Sequence, residues 1–522
     1  MTITTAKRFA QRIPRKTLRL APLAAALTLA LPAQAQWKVT PSLALTETYT
    51  DNVALQSDAN KRSDWVTEVT PGVSVIAQNS RVQMSARARA SFYKYASGEP
   101  VGTRSNNAQY DANGRVKVID ELLYVDARAS GGSRAISAFG LRDDEGNGFS
   151  DRNSTDVSSW SVSPFLTRRF GNFAVATARY THDEVKADES RFGSSTADGY
   201  SVDLGSGRAW RDIGWTLRHA RQEAQTDTFG DTASENSVLG LNYRVHRTLK
   251  LTATGGYDSY DYEAIGNRTA GPSWSVGFAW NPSARTSVDM SVGRHFLGNT
   301  GSLMALHRSR HTVWRASYSD AVTSTRQQFS GLRITDTALL IDSLFAATIP
   351  DPFARRLAVE EYLLATGLPR STAESVNFLT NRYFRQKQAQ ASFAFNMRAH
   401  STLISAFANE RIALSTGQAD ADLLGTELFS LNDNVRQVGL SAAHSYRLNA
   451  LTRATATLSA SRSRSLTTDL EQDQKSLRLA MTRRFSRKLS GVVELRHVRS
   501  DRGLLGAGYT ENAISATLSA QL

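Results

Sequence analysis

The feature that most constrains this chain is the two-residue alternation of its C-terminal segment, GYTENAISATLSAQL (Gly508–Leu522). From Ile514 to Leu522 every second residue is apolar, and the residues between them are small and polar. A period of two indicates a strand with one apolar and one polar face. We therefore expect this segment to be the closing strand of a sheet rather than a frayed tail.

The same alternation recurs along the chain, for example in Val82–Phe92, Leu239–Val245, Trp274–Trp280, Ala454–Ala460 and Leu477–Met481. The sequence offers few helices to cover the apolar rows, and a sheet closed within lipid buries them without leaving an unpaired edge. We predict an all-β fold over residues 36–522, a transmembrane antiparallel outer-membrane β-barrel of about 22 strands, with roughly 18 to 24 compatible with the pattern.

Aromatic residues lie at the ends of the apolar rows. Trp274 and Trp280 are separated by roughly 20 Å along an extended strand, close to the spacing between the two membrane interfaces. Ordinary sheet packing explains any single ring. The set as a whole indicates an aromatic girdle. Its other members are Tyr49, Trp65, Tyr110, Trp160, Tyr257, Trp314 and Tyr318.

Residues 1–35 have the pattern of a cleaved signal peptide. Basic residues from Lys7 to Arg19 precede the apolar stretch Leu20–Leu31, and Ala33-Gln34-Ala35 forms a small-x-small cleavage site. The leader carries part of the +14 net charge, so the mature chain is only mildly basic. We expect export to the outer membrane of a Gram-negative bacterium and no nucleic-acid partner.

Connections between the alternating segments differ in length, as barrel turns and loops do. Short ones include 78–80 and 281–285. The longer polar stretches are Asp51–Asp64, Gly131–Asp156, Asp183–Ala197, Gln222–Asn236, Asp258–Gly271 and Ala413–Asp433.

One segment, Arg326–Phe384, lacks the alternation. Asp351-Pro352 begins a run that ends at Gly367 and has the capping residues of a helix. The apolar Ala338–Ala346 predicts a second, shorter helix. We predict that this loop enters or covers the lumen and gates it, and the alternative is a loop packed on the surface. The predicted gating residues are Phe353, Leu357 and Leu364.

The polar faces of the strands carry many arginines. Charges on the lipid face cost about 2–4 kcal/mol near the midplane, so any single arginine belongs inside on energetic grounds alone. Their excess over inward acids predicts an electropositive, anion-selective lumen. The predicted lumen-lining residues are Arg87, Arg89, Arg115, Arg128, Arg179, Arg218, Arg244, Arg315, Arg453, Arg478 and Arg496. The inward acids are Asp111, Asp126, Asp203, Asp258, Asp289 and Glu494.

The sequence shows no catalytic constellation. There is no cysteine, which excludes thiolate chemistry and thiolate metal sites. His307 and His311 lie on strand-like sequence and lack an acidic partner for zinc. His182-Asp183 stands alone at a strand end. We expect no enzyme activity, no metal and no cofactor.

Four stretches resemble the outer-membrane β-barrel proteins associated with the PEP-CTERM/exosortase system of exopolysaccharide loci. They are Thr40–Val53, Asn281–Gln328, Asn377–Asn396 and Gly508–Leu522. The resemblance implies an outer-membrane porin-like barrel in an exopolysaccharide context, and it implies no active site. The sequence departs from most such barrels in ending on Leu522 instead of an aromatic residue.

Two functions are compatible with these observations. The first is a passive conduit for export of an acidic exopolysaccharide, narrowed by the helical loop. The second is a non-conducting scaffold or surface-attachment protein. The expected partners are outer-membrane lipid, the assembly machinery acting on the C-terminal strand, acidic exopolysaccharide and secretion-system proteins.

Overall fold

A computed structural model describes residues 36–135, 137–139, 148–150, 153–187, 194–226, 230–261, 270–324, 336–346, 349–351, 354–356, 358–359, 362–363, 368, 383–414, 434–501 and 508–522. The predicted signal peptide lies outside the described residues.

The described chain forms one 22-stranded antiparallel sheet. The strands are β1 Gln36–Thr50, β2 Asp64–Gln78, β3 Val82–Tyr95, β4 Asn106–Ile119, β5 Leu123–Ala135, β6 Ser154–Phe170, β7 Ala174–Ala187, β8 Ser194–Ser206, β9 Ile213–Thr226, β10 Gly230–His246, β11 Leu249–Asp261, β12 Ala270–Ser283, β13 Thr286–His295, β14 Gly298–Arg308, β15 Thr312–Ser324, β16 Tyr383–Asn396, β17 His400–Ala413, β18 Asn434–Arg447, β19 Thr452–Ser465, β20 Glu471–Arg484, β21 Leu489–Ser500 and β22 Tyr509–Gln521. Helix α1 spans Asp336–Phe345.

The sheet is closed, because β1 pairs with β2 on one side and with β22 on the other. The alternation near the C-terminus is therefore the closing strand, as predicted. Tyr49 of β1 lies opposite Ile514 of β22, both on the apolar outer face. Closure removes both sheet edges and pairs every strand in the described sheet. The prediction of an outer-membrane β-barrel is confirmed.

A buried ion pair joins the strands beside this seam. Arg496 of β21 donates to Glu511 of β22, with 2.8 Å between Nη2 and Oε1. The Thr50 hydroxyl of β1 donates to the same Glu511 oxygen at 2.9 Å. Only 3% of the Arg496 side chain and 0% of the Glu511 side chain is exposed. A buried charge of each sign is therefore satisfied across three consecutive strands.

Asp51, directly after β1, links β1 to β22 beyond the last residue pair of the two strands. Its carboxylate accepts hydrogen bonds from the backbone and the side-chain amide of Asn512 and contacts Lys61. Partial burial acts to raise the pKa of Asp51, but these hydrogen bonds and the ammonium group outweigh it, so the pKa lies below its ordinary value.

The two ends of the barrel differ in their connections. The start of β1, the end of β22 and the short turns lie at one end, as at Gln78–Val82 and His246–Leu249. The long connections lie at the other end, which is therefore the extracellular one. Four of them are shorter than predicted, because the flanking strands extend further: β9 runs to Thr226, β10 starts at Gly230, and β5, β6, β7, β8, β11 and β12 are similarly extended.

The physical reason lies on the outer face of the long strands. On β10 the outward residues Leu239, Leu241 and Tyr243 are apolar, but Glu235 and Ser237 follow toward the extracellular end. An apolar band of about 25 Å covers only part of a long strand. The ends that project above the lipid are polar on both faces, so their composition is that of a loop although they are paired in the sheet.

Candidate functional site

The strand register divides the side chains into an outer and an inner face. Trp274 and Trp280 of β12 are exposed on the outer face together with Val276. The register also places the remaining girdle residues on that face. Residues at the opposite parity face the lumen. The inner face holds every arginine that the sequence pattern assigns to it, namely Arg87, Arg89, Arg115, Arg128, Arg179, Arg218, Arg244, Arg315, Arg453, Arg478 and Arg496.

The six acids named above face the lumen as well. The register adds inward basic residues that the sequence reading missed, among them Lys250, Arg308 and Arg411. Over the described strands, inward basic side chains outnumber inward acids by roughly two to one, which favours anions in a water-filled lumen. Extending the alternation to both ends of each strand would have identified Lys250, Arg308 and Arg411 as inward residues.

The lumen wall formed by β3–β9 is open to solvent. On this wall 54% of the Arg115 side chain and 61% of the Arg218 side chain are exposed. Arg89 is exposed as well and donates to the side-chain carbonyl of Gln109. These guanidinium groups are accessible to a solute inside the barrel.

One carboxylate organises the arginines of this open wall. Asp126 accepts from Arg115 at 2.6 Å and 3.0 Å and from Arg179 at 3.1 Å. A bidentate contact of this kind fixes the orientation of the guanidinium. Two positive groups share one negative group, so the cluster keeps a net positive charge.

The opposite wall is covered by α1. Leu340 and Ile341 of α1 are buried with Val313 of β15 and Leu403 of β17. Val313 and Leu403 lie on the inner face, close to the short-turn ends of their strands. A loop that leaves the barrel wall at the extracellular end therefore reaches down into the periplasmic half of the lumen.

Polar contacts also hold the loop in place. Arg308 donates from Nη1 to the backbone carbonyl of Ser343 at 3.0 Å. The Tyr362 hydroxyl lies 3.0 Å from Oδ1 of Asn396 and 2.7 Å from Oγ of Ser401. Burial raises the pKa of Tyr362, so the hydroxyl stays protonated and can donate.

The gating residues Phe353, Leu357 and Leu364 lie outside the described residues. Their described neighbours 354–356, 358–359 and 362–363 are helical. Val359 and Leu363 belong to the same buried cluster as α1. The shorter predicted helix, Ala338–Ala346, corresponds to α1 with a start two residues earlier.

Apolar residues at inward positions of the strands indicate that a lumenal element covers this wall. The alternation alone did not identify them. Val313 and Trp314 are adjacent and both apolar, so β15 is apolar on both faces at this point. Trp314 faces lipid, whereas Val313 is 0% exposed beneath α1. Apolar residues at inward positions, such as Leu306 and Leu403, mark the wall that a lumenal element covers.

Extracellular connections narrow the other end of the barrel. Phe139, between β5 and β6, is buried with Val435 at the start of β18. These strands are far apart in the sheet, so this connection crosses the mouth. Leu55, between β1 and β2, packs on Val498 and Tyr509.

The periplasmic turns are strongly basic. Their exposed side chains include only three acids, Asp120, Glu121 and Asp212. Within the described chain, none of the basic residues in these turns has an ion-pair partner. They are Arg81, Arg208, Arg211, Arg247, Arg285, Arg310, Arg398, Arg487 and Lys488. The lumen therefore opens to the periplasm through a ring of positive charge.

The structure separates the residues His182 and Asp183. His182 faces outward with Nδ1 2.9 Å from Asp198, whereas Asp183 is buried on the inner face. Consecutive strand residues point to opposite faces, so the two cannot act together. In the described ranges, no group of three or more histidines and acids is placed to bind a metal ion.

The closed 22-stranded sheet, its apolar outer face and its polar inner face define an outer-membrane β-barrel of porin-like character. Of the helical residues described, none form a helix long and apolar enough to cross a membrane.

The comparisons with known proteins agree with this class. Residues 35–198 match the model of the family described as "Putative beta-barrel porin 2". The FrpB iron transporter from Neisseria meningitidis is similar in structure, with a TM-score of 0.50 and 9% identity over 92% of this chain and 82% of that chain. The ferric-catecholate import receptor Fiu from E. coli K12 gives a TM-score of 0.46 and 9% identity, over 93% and 82% respectively. At 9% identity the likeness to FrpB concerns the fold alone. No curated protein matches the sequence.

Proposed function

We propose that the protein is a passive conduit through which an acidic exopolysaccharide crosses the outer membrane. The observation that carries the proposal is the asymmetry of the lumen. α1 covers the wall of β15–β17, while Arg115 and Arg218 remain exposed on the wall of β3–β9. This leaves a narrowed passage lined by positive charge and hydroxyl groups, in the exopolysaccharide context that the sequence resemblance implies.

The charges on the open wall allow an acidic polymer to move along the lumen. Arginines shared with carboxylates, as at Asp126, offer several contacts of moderate strength. Conduction requires sites that attract the solute and also release it. A chain with one acidic group per repeat can exchange one guanidinium for the next without being trapped.

The basic periplasmic turns support movement outward from the periplasm. Several exposed positive charges around one opening raise the local concentration of a polyanion and its rate of association. The effect is screened beyond about 8 Å at physiological salt. The proposal includes secretion-system proteins that deliver the polymer at this end, and assembly machinery that recognises β22 during insertion.

Ion selectivity tests the proposal directly. In planar bilayers under a salt gradient, the reversal potential of the purified barrel should indicate preference for anions. Replacing Arg115, Arg128 and Arg218 together with glutamine should shift it toward cations. Arg436→Gln is the matched control, because Arg436 faces outward. Cation preference in the unaltered barrel would reject the electropositive lumen.

Deleting residues 336–367 tests whether the loop that carries α1 acts as a plug that narrows the lumen. The deletion also separates the two candidate functions. Because α1 covers one wall of the lumen, the deletion should raise single-channel conductance while the barrel keeps its heat-modifiable migration on gels. A barrel that stays silent before and after the deletion would favour the alternative, a scaffold or surface-attachment protein. The contact of Phe139 with Val435 across the extracellular mouth is the observation that favours it.

A further inference from the structure

Two aromatic rings stack on the open wall of the lumen. Tyr124 of β5 and Phe165 of β6 lie directly opposite each other on the inner face. Their ring centroids are 5.0 Å apart and their planes differ by 11°. Within the described chain neither ring belongs to a buried apolar cluster. Apolar ring surface turned toward water is unfavourable, and most inward neighbours on these strands are polar.

Arginines flank the stack. The Arg179 guanidinium lies 4.1 Å from the Phe165 centroid and that of Arg115 lies 5.4 Å away. Both are oriented by Asp126. Arg115 uses Nε and Nη2 for that contact, and its remaining N–H groups have no protein partner within the described chain. A fixed guanidinium with unused donors is suited to bind a second carboxylate in a bidentate manner.

The position of the stack is also informative. Tyr124 lies at the periplasmic end of β5, directly after the turn that carries Asp120 and Glu121. Thr177 of β7 faces inward two residues from Arg179, and its hydroxyl lies 3.3 Å from the Thr167 hydroxyl. An aromatic platform, a carboxylate-binding guanidinium and a hydroxyl are therefore grouped on one wall, near the periplasmic opening.

We propose that this group is a saccharide-binding subsite for a hexuronate residue of the transported chain. The flat C–H face of a pyranose packs on the half-buried Tyr124 ring, which stabilises it by burying apolar surface. The hexuronate carboxylate accepts from Arg115, and ring hydroxyls bond to Thr177. The inference rests on the proposed function, since it names the substrate class of the same lumen. If the stack served only to pack arginines against aromatic rings, the affinity for a saccharide would not depend on Tyr124.

Equilibrium binding to the full-length barrel in detergent tests the subsite, because it requires no conductance. Isothermal titration calorimetry with an oligogalacturonate should show binding, and a malto-oligosaccharide of equal length should bind more weakly. Tyr124→Ser should weaken the affinity for both by about tenfold, equivalent to 1.4 kcal/mol. Arg115→Gln should weaken only the acidic oligomer. Tyr200→Ser is the matched control, because Tyr200 faces outward and is exposed.

A second variant shows whether the loss of affinity results from misfolding. Tyr124→Leu keeps an apolar side chain without a flat ring, so it should lose affinity as Tyr124→Ser does while retaining the gel migration of the folded barrel. Unchanged affinity in Tyr124→Leu and Arg115→Gln would overturn the subsite. A barrel that binds oligogalacturonate but never conducts would refute the conduit and leave the subsite standing.

Discussion

Shortening Leu340 to alanine is the most direct way to loosen α1 from the lumen wall. Leu340 is 0% exposed and packs in the cluster that contains Val313 and Leu403. Removing a buried leucine side chain to alanine costs about 2–5 kcal/mol. Leu340 makes these contacts only while α1 is docked, so nearly the whole cost falls on the docked state. The strand pairings of the barrel do not depend on it.

The magnitude follows from the docking equilibrium. Since about 1.4 kcal/mol is a factor of ten, the undocked fraction of α1 should rise by between about 30-fold and about 4,000-fold in Leu340→Ala. Openings to the larger conductance should become more frequent by a similar factor. Hydrogen exchange at the α1 amides should quicken in parallel, because exchange there reports local undocking.

The assay combines single-channel recording with hydrogen exchange measured by mass spectrometry. Leu458→Ala is the matched control, because Leu458 has the same side chain but is 55% exposed on the outer face of β19. Both variants should keep the heat-modifiable migration of the folded barrel. If α1 exchanged at the wild-type rate in Leu340→Ala and openings stayed equally rare, the assignment of α1 as a docked plug would be wrong.

Three further predictions concern the barrel wall. Glu511→Ala removes the carboxylate that pairs with the buried Arg496, so the free energy of unfolding should fall by about 3–5 kcal/mol, measurable by urea titration in detergent. The pKa of Asp51 is lowered in the folded barrel, so its stabilising effect is present above the unfolded pKa and is lost as pH falls from about 4 through the lower folded pKa; Asp51→Asn should remove that pH dependence from the unfolding midpoint. A Cβ at Gly439 would lie 2.3 Å from the Phe407 ring, so Gly439→Ala should destabilise the barrel by about 1–3 kcal/mol, and equal urea midpoints for the two proteins would contradict this packing.

The sequence predicted the face of each side chain well, because the period of two is a local property of an extended chain. Once Ala86 and Ala88 of β3 are assigned to lipid, Arg87 and Arg89 must face the lumen. The same rule separates His182 from Asp183. Loop lengths were predicted less well, because strand ends above the lipid are polar on both faces and resemble loops in composition.

The contacts of the lumen were not predictable in the same way. Val313 is covered by Leu340, which lies on a different element, and the sequence gives only the hint that both faces of β15 are apolar. Phe139 meets Val435 across the barrel mouth. Such pairs depend on which strands face each other after closure, and no local pattern specifies that.

The barrel, its inner and outer faces and the excess of inward arginine follow from the sequence, because each depends on alternation and on the cost of charge in lipid. Which arginines stay exposed depends on tertiary contacts. Arg115 lies on the open wall, whereas Arg308 holds α1. The same holds for the stacking of Tyr124 on Phe165. The physical reason is that these outcomes depend on contacts between distant segments, which the register and the folding of the loop into the lumen bring together.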